Sequence, residues 1–326
     1  MKKLLIVLLC LAVVPCAFGV DMAKAEGKAS FYANITAVEP IMEAFNKAKG
    51  VEGVYTRIST SKYLATVLTE FEAGKLTADV LQSPIPIMET LKAKGVFTPY
   101  KSPSAAGYPD WATKDDTITQ FGIEYVAPLY NKELVKPADV PKSYMDLTDP
   151  KWKDKIVMPN PSTHATTISW LVGLKEQKIF GDDAGWEKFV KGLAANNPMF
   201  VKSFGPSPGP IESGEKLVGI SMPKYIITHA PAPLDWVRVD TILGTPRGIA
   251  IAAKAPNPEA AKVFMDYWLS KDAMQLLADK VGEYVLTPGV KSPIDGMDKA
   301  KVMPIRSMSN DEIKSWGAKF KKMFEM

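Results

Sequence analysis

Ala29-Ser30-Phe31-Tyr32, Ala33-Asn34-Ile35-Thr36 and the helix-spaced run from about Val38 to Lys49 form the first of three successive strand, polar turn and helix units. In that run Ile41, Met42, Phe45 and Ala48 recur on one face of a 3.6-residue period. The second unit is Val54-Tyr55-Thr56-Arg57-Ile58, the turn Ser59-Thr60-Ser61, and a helix carrying Leu64, Val67, Leu68 and Phe71 up to a stop at Gly74. The third is Ala78-Asp79-Val80-Leu81, the turn Gln82-Ser83-Pro84, and a helix ending near Gly95. Ser83 is expected to cap that helix, with Pro84 at its first position, where a missing N–H costs nothing. Strands alternating with helices predict an α/β fold whose mostly parallel sheet is covered on both faces.

The middle of the chain reads as a second unit. The apolar run from Gly122 to Leu129 suits a buried crossover strand, and Ile156-Val157-Met158 leads through Pro159-Asn160-Pro161-Ser162-Thr163 into a helix from Ala165 to about Lys178. Leu217-Val218-Gly219-Ile220 is another short strand. Gly248-Ile249-Ala250-Ile251-Ala252 is a further one, feeding a helix through Ala260, Val263, Phe264, Tyr267 and Trp268.

At the N-terminus, Lys2 and Lys3 precede the apolar run Leu4-Leu5-Ile6-Val7-Leu8-Leu9-Cys10-Leu11-Ala12-Val13-Val14, and small residues follow at Ala17 and Gly19. That layout is expected of a secretory signal over residues 1–19, too short to anchor the chain in a bilayer. Pro15 beside Cys16 argues against lipid attachment there. Cleavage removes both cysteines, so the mature chain is expected to lack disulfides and cysteine metal sites. Losing Lys2 and Lys3 lowers the formal charge from +4 to +2, and no basic stripe appears, which argues against nucleic acid as a partner. The product is expected in the periplasm, as a monomer.

Hydroxyl and amide groups gather at the strand ends: Asn34, Thr36, Ser59, Thr60, Ser83, Ser162 and Thr163. In open α/β sheets the crevice beyond the strand carboxyl ends receives ligands, and helix N-termini there favour an anion. Each Ser or Thr could equally serve only as a helix cap. His164 opens the middle helix. Tyr32 and Tyr225 could line the crevice or pack in a core. Arg247 could clamp an anion through its planar fork or pair with a carboxylate. Catalytic groups are sparse. Gly205-Pro206-Ser207-Pro208-Gly209 fits G-x-S-x-G, yet Pro208 lacks the N–H that would help to hold an oxyanion. The two histidines, His164 and His229, are far apart, and no zinc-protease, P-loop or Rossmann motif occurs. Asp115-Asp116 and Asp182-Asp183 read as solvated surface. No catalytic residue, metal site or cofactor is expected.

Gly248-Ile249-Ala250-Ile251-Ala252, Ala255-Pro256-Asn257-Pro258-Glu259-Ala260-Ala261-Lys262 and Trp268-Leu269-Ser270 together resemble the type II periplasmic solute-binding proteins of ABC importers, in the branch that includes ferric-ion-binding proteins. Gly74-Lys75 with Ala78-Asp79-Val80, Tyr130-Asn131, and Gly214-Glu215 before Val218-Gly219-Ile220 extend the resemblance over the mature chain. It implies two α/β lobes, 20–126 with 248–326 and 127–247, closing on a solute for delivery to an inner-membrane permease.

Ferric-ion members carry a histidine after the first strand, an acidic ligand after the third, and adjacent tyrosines in the second lobe. Here Asn34-Ile35-Thr36, Gln82-Ser83-Pro84 and Met222-Pro223-Lys224-Tyr225 stand in those places. Ferric iron wants several hard anionic oxygens, and this set offers one phenol. The expected ligand is therefore a small organic anion. Ferric ion is the alternative, and a secreted hydrolase on a similar scaffold is a more distant one.

Overall fold

The computed structural model describes residues 15–113 and 116–326. The expected leader residues 1–14, with Cys10, lie outside the described residues, as does Asp115. The chain opens with α1 (Pro15–Glu26), β1 (Lys28–Ala33), α2 (Glu39–Lys49), β2 (Glu52–Arg57), α3 (Thr60–Glu72), β3 (Val80–Pro84) and α4 (Ile85–Ala93). Strand β1 lies parallel between β2 and β3, joined by two consecutive helical crossovers. Short β4 (Phe97–Thr98) and α5 (Asp110–Thr113) lead to the long β5 (Thr119–Asn131).

The middle segment holds β6 (Ile156–Pro159), α6 (Ala165–Glu176), α7 (Asp183–Ala195), β7 (Met199–Val201), α8 (Pro208–Glu212), β8 (Val218–Ser221), α9 (Tyr225–Thr228) and β9 (Leu234–Trp236). The chain then returns through β10 (Thr241–Ala252), α10 (Pro258–Trp268), α11 (Lys271–Val281), β11 (Tyr284–Val285), β12 (Lys301–Pro304) and α12 (Asn310–Met323).

The strand order is β2-β1-β3-β10-β5-β8-β6-β7. Two sheets meet at the crossover strands. β10 runs antiparallel between β3 and β5, and from Ala127 onward β5 pairs antiparallel with β8 instead. β6 continues the second sheet, parallel to both β8 and β7.

On its outer side β10 pairs with β12 as far as Gly244 and with β3 only from Arg247. Thr245 and Pro246 fall in the gap between these partners, a place that tolerates a residue without an N–H. On its other side, the register against β5 shifts between Arg247 and Gly248, so that Phe121 is an extra residue. A bulge of this kind bends the strand and re-aims neighbouring side chains. Here it falls beside Arg247, the most buried cation among the described residues.

Period-2 alternation distributes the first sheet between two cores. Ile249 and Ile251 enter a cluster with Phe31, Phe45, Phe264 and Trp268, while Ala250 and Ala252 face Tyr63, Val67, Met88 and Leu91 on the opposite side. Asp79 ties these layers: it is fully buried and accepts from Ser30 N (2.7 Å) and from Asn257 N (2.7 Å) at the start of α10. Glu26, in the part of α1 beyond the expected cleavage point, accepts from Ala260 N at 2.7 Å in the same first turn.

A third cluster surrounds the second sheet, with Trp170, Trp186, Phe189 and Trp236. Ile294, Met297, Ile305, Phe320 and Phe324 join it, although the sequence grouped 248–326 with the first unit. The reason is local. Helix α12, begun by a capping box between Ser309 and Glu312, sets Trp316 and Phe320 on one face, and both rings pack within about 6 Å of Trp186. The third polar turn also differs from expectation. Ser83 lies inside β3 and does not cap α4, because pairing with β10 extends the strand through Pro84.

Candidate functional site

Arg247, buried where the two crossover strands lie side by side, organises the polar groups between the sheets. Its Nε and Nη2 each donate to Glu283 at 3.2 Å, Nη2 also donates to Glu124 at 2.8 Å, and Nη1 donates to Asn34 Oδ1 at 3.2 Å. Asn34 in turn donates from Nδ2 to Thr60 Oγ1 (2.9 Å), the first residue of α3. Glu283, fully buried behind the glycine that ends α11, accepts a further bond from Lys224 at 3.3 Å. Six elements thus converge: the turn after β1, the start of α3, both crossovers, the end of α11 and the start of α9.

The electrostatics follow from that convergence. Burial opposes the Arg247 charge, but Glu124 and Glu283 outweigh it and hold the guanidinium above its usual range. Burial likewise opposes ionisation of Glu283, and Arg247 with Lys224 overcomes it, keeping this carboxyl below the ordinary glutamate range. Tyr225, at the start of α9, feels burial and then the charges of Glu124 and Glu283, so its phenol is pushed up and stays neutral. The His164 imidazole is pushed down by burial, with Glu124 pulling partly the other way. It caps α6: Nδ1 pairs with Thr167 Oγ1 at 2.8 Å and accepts from Thr167 N at 3.4 Å, and the ring stands edge-on to Phe204.

Among the residues singled out from sequence, Arg247, Asn34 and Thr60 are joined through hydrogen bonds, Tyr225 feels Glu124 and Glu283, and His164 feels Glu124. Ser83 is paired across the ladder with Gly248, next to Arg247; it is fully buried, and its hydroxyl has no partner among the described residues. The neighbouring Gln82 accepts from Ile35 N, while its Nε2 is similarly buried without a partner among the described residues.

Others bond elsewhere. The Tyr32 hydroxyl pairs with Thr77 (2.8 Å), and Ser162 Oγ donates to Asn160 (2.7 Å) within its own turn. Thr36 and Thr163 are exposed, and Ser59 is the half-buried cap position of α3. For Arg247, the carboxylate pairing left open by the sequence is the one observed.

Glu124, Glu283 and Lys224 were not among the expected site residues. Glu124 had a signal: a lone charge inside the apolar run around Ile123 and Val126 needs a buried partner. Ser207 has a structural role. Its hydroxyl donates to Phe204 O (2.7 Å) and pairs with Ser221 (2.6 Å), both serines being fully buried, so no nucleophile is presented there.

Residues 77–310 match the family model described as bacterial extracellular solute-binding protein, and the chain belongs to that family. A probable ABC transporter periplasmic-binding protein of Sinorhizobium fredii is 27% identical over 242 residues, covering 69% of this chain and 65%, just under two thirds, of that relative. The major ferric iron-binding protein of Neisseria meningitidis serogroup B is 26% identical over 275 residues, covering 78% of this chain and 79% of its own length. A solved substrate-binding protein of an ABC transporter from Agrobacterium tumefaciens superposes with a TM-score of 0.75 at 15% identity, covering 93% of this chain and 97% of that one. The fold is therefore the two-lobe α/β fold of periplasmic binding proteins, and the family is one of transport-associated binding proteins, not enzymes.

Proposed function

We propose that this chain is exported to the periplasm by cleavage near Gly19, captures a small organic solute bearing an acidic group between its lobes, and delivers it to an inner-membrane ABC permease. The first lobe would comprise 20–126 and the stretch from 248 to about Val285. The second would comprise 127–247 together with the C-terminal segment that shares its core. The lobes would turn on β5 and β10, near Ala127 and the Thr245–Pro246 gap.

The observation that carries this reading is the Arg247 cluster, where groups from both sheets meet at the crossovers. Because Arg247 is engaged by carboxylates, the acidic group of the solute would be met by Lys224, by the hydroxyl of Thr60, and by the backbone N–H groups opening α3 and α6. Ferric ion is a second reading, favoured by the Glu124 carboxylate, whose charge is felt by both the Tyr225 phenol and the His164 imidazole. Against it, Lys224 places an ammonium beside the phenol, and the phenol is held neutral. Among the described residues no group of three His, Cys, Asp or Glu could hold a metal. Calorimetry on unfolded and refolded protein separates the readings: heat with an organic acid supports the first, and heat with ferric ion alone supports the second.

A further inference from the structure

The charged groups between the lobes balance. Arg247 and Lys224 bring two positive charges, Glu124 and Glu283 bring two negative ones, and the four are joined by hydrogen bonds. His164, Tyr225 and Tyr125, titratable groups that also face this cluster, stay neutral in the folded protein near pH 7. Such a site has no net charge with which to compensate that of a solute, and an uncompensated charge in a partly desolvated cleft is costly.

Glu124 differs from the other three. Glu283 is bonded through both oxygens, whereas Glu124 receives only the Arg247 bond at Oε1, and its Oε2 has no partner among the described residues. Its side chain is 17% exposed against 1% for Glu283, so a molecule in the cleft can reach it. It sits on β5 just before the strand passes from one sheet to the other, opposite residues of the second lobe.

We infer that Glu124 is a specificity-determining residue whose free oxygen accepts a hydrogen bond from an ammonium group, and that the solute is a zwitterion carrying this ammonium besides its acidic group. The inference rests on the proposed capture of an organic acid. A simple anion would leave its own charge unbalanced and set it against Glu124. A zwitterion leaves the cleft neutral and pairs both of its ends, with Lys224 and the helix starts at one side and Glu124 at the other.

The test uses matched acids with and without an amino group: β-alanine against propionate, and O-phosphoethanolamine against ethyl phosphate. Each is titrated calorimetrically into refolded protein. The amino member of at least one pair should bind about tenfold or more tighter than its partner, the size of a charge-assisted hydrogen bond. Glu124→Gln, which removes the charge while keeping an oxygen for Arg247, should erase that difference by weakening the amino member, with the amine-free acid bound at least as tightly as by the natural protein; Glu124→Asp should restore part of it. Equal binding within both pairs, preference for the amine-free acid, or loss of both members alike in Glu124→Gln would overturn the inference. So would binding of other organic acids with neither pair recognised, and the proposed function would then stand. Binding of ferric ion alone would remove both.

Discussion

Lys224 Nζ lies 3.3 Å from Glu283 Oε1, joining the start of α9 in the middle segment to the end of α11 in the first unit. The approach depends on Gly282. A Cβ there would stand 2.8 Å from Lys224 Cα, and its φ of 71° is one that glycine adopts without strain. On the proposed division into lobes, this ion pair would bear on how closely they sit. In Lys224→Met the unliganded protein should open, seen as a larger radius of gyration in solution scattering. Affinities for solutes in general should fall by roughly three- to tenfold, because closure then draws on binding energy, and acidic solutes should lose more because Lys224 also meets their acidic group. An unchanged radius with one solute selectively weakened would mean that Lys224 acts as a ligand contact only.

Glu283 is the buried partner on which both cations converge. Glu283→Ala leaves Arg247 poorly compensated in the interior and should cost about 3–5 kcal/mol in urea unfolding. The sign of the pH dependence follows from its depressed folded-state pKa. Its contribution is complete above the unfolded glutamate value of about 4.3 and disappears as the pH falls through the lower folded value. Stability curves of the natural protein and of Glu283→Gln should therefore converge below about pH 4. Parallel curves down to acid would show that the carboxylate charge contributes nothing.

His164 loses charge on folding. Its imidazole is depressed by burial, so from about pH 6.5 downward the unfolded chain takes up a proton that the folded chain refuses, and stability falls. His164→Asn retains a capping side chain for α6 and should flatten the slope between about pH 7 and 5. A slope identical to that of the natural protein would place the responsible group elsewhere.

Phe320 is fully buried on α12, against Trp186 of α7. Phe320→Ala should cost about 3–5 kcal/mol and alter tryptophan emission early in unfolding, since the cavity opens beside Trp186. If α12 were a loosely attached tail, removing this ring would change neither quantity.

The three strand and helix units were legible because apolar residues at 2- and 3.6-residue spacing carry the whole signal, as in Phe31 and Ile41 through Phe45. The turn at Ser83 was misplaced because cap chemistry is local, whereas the end of β3 is set by β10, more than 150 positions away. Helix α12 carried an amphipathic pattern, but pattern alone does not say which lobe its face will cover.

Asn34, Thr60 and Arg247 were recognisable as candidates, and their joining was not. Arg247 meets Glu283 and Asn34 only through the fold, and Lys224 is drawn in by the close packing that Gly282 permits.

The central claim is capture of an organic acid between the lobes, and isothermal calorimetry on unfolded and refolded protein tests it most directly. Small phosphate esters, carboxylates, amino acids and ferric ion are titrated in turn into the natural protein and into Asn34→Ala. Asn34 bridges Arg247 and Thr60, so the account predicts saturable heat with an organic acid and clear weakening in the variant. Heat with ferric ion alone, or an organic acid bound equally well without Asn34, would contradict it.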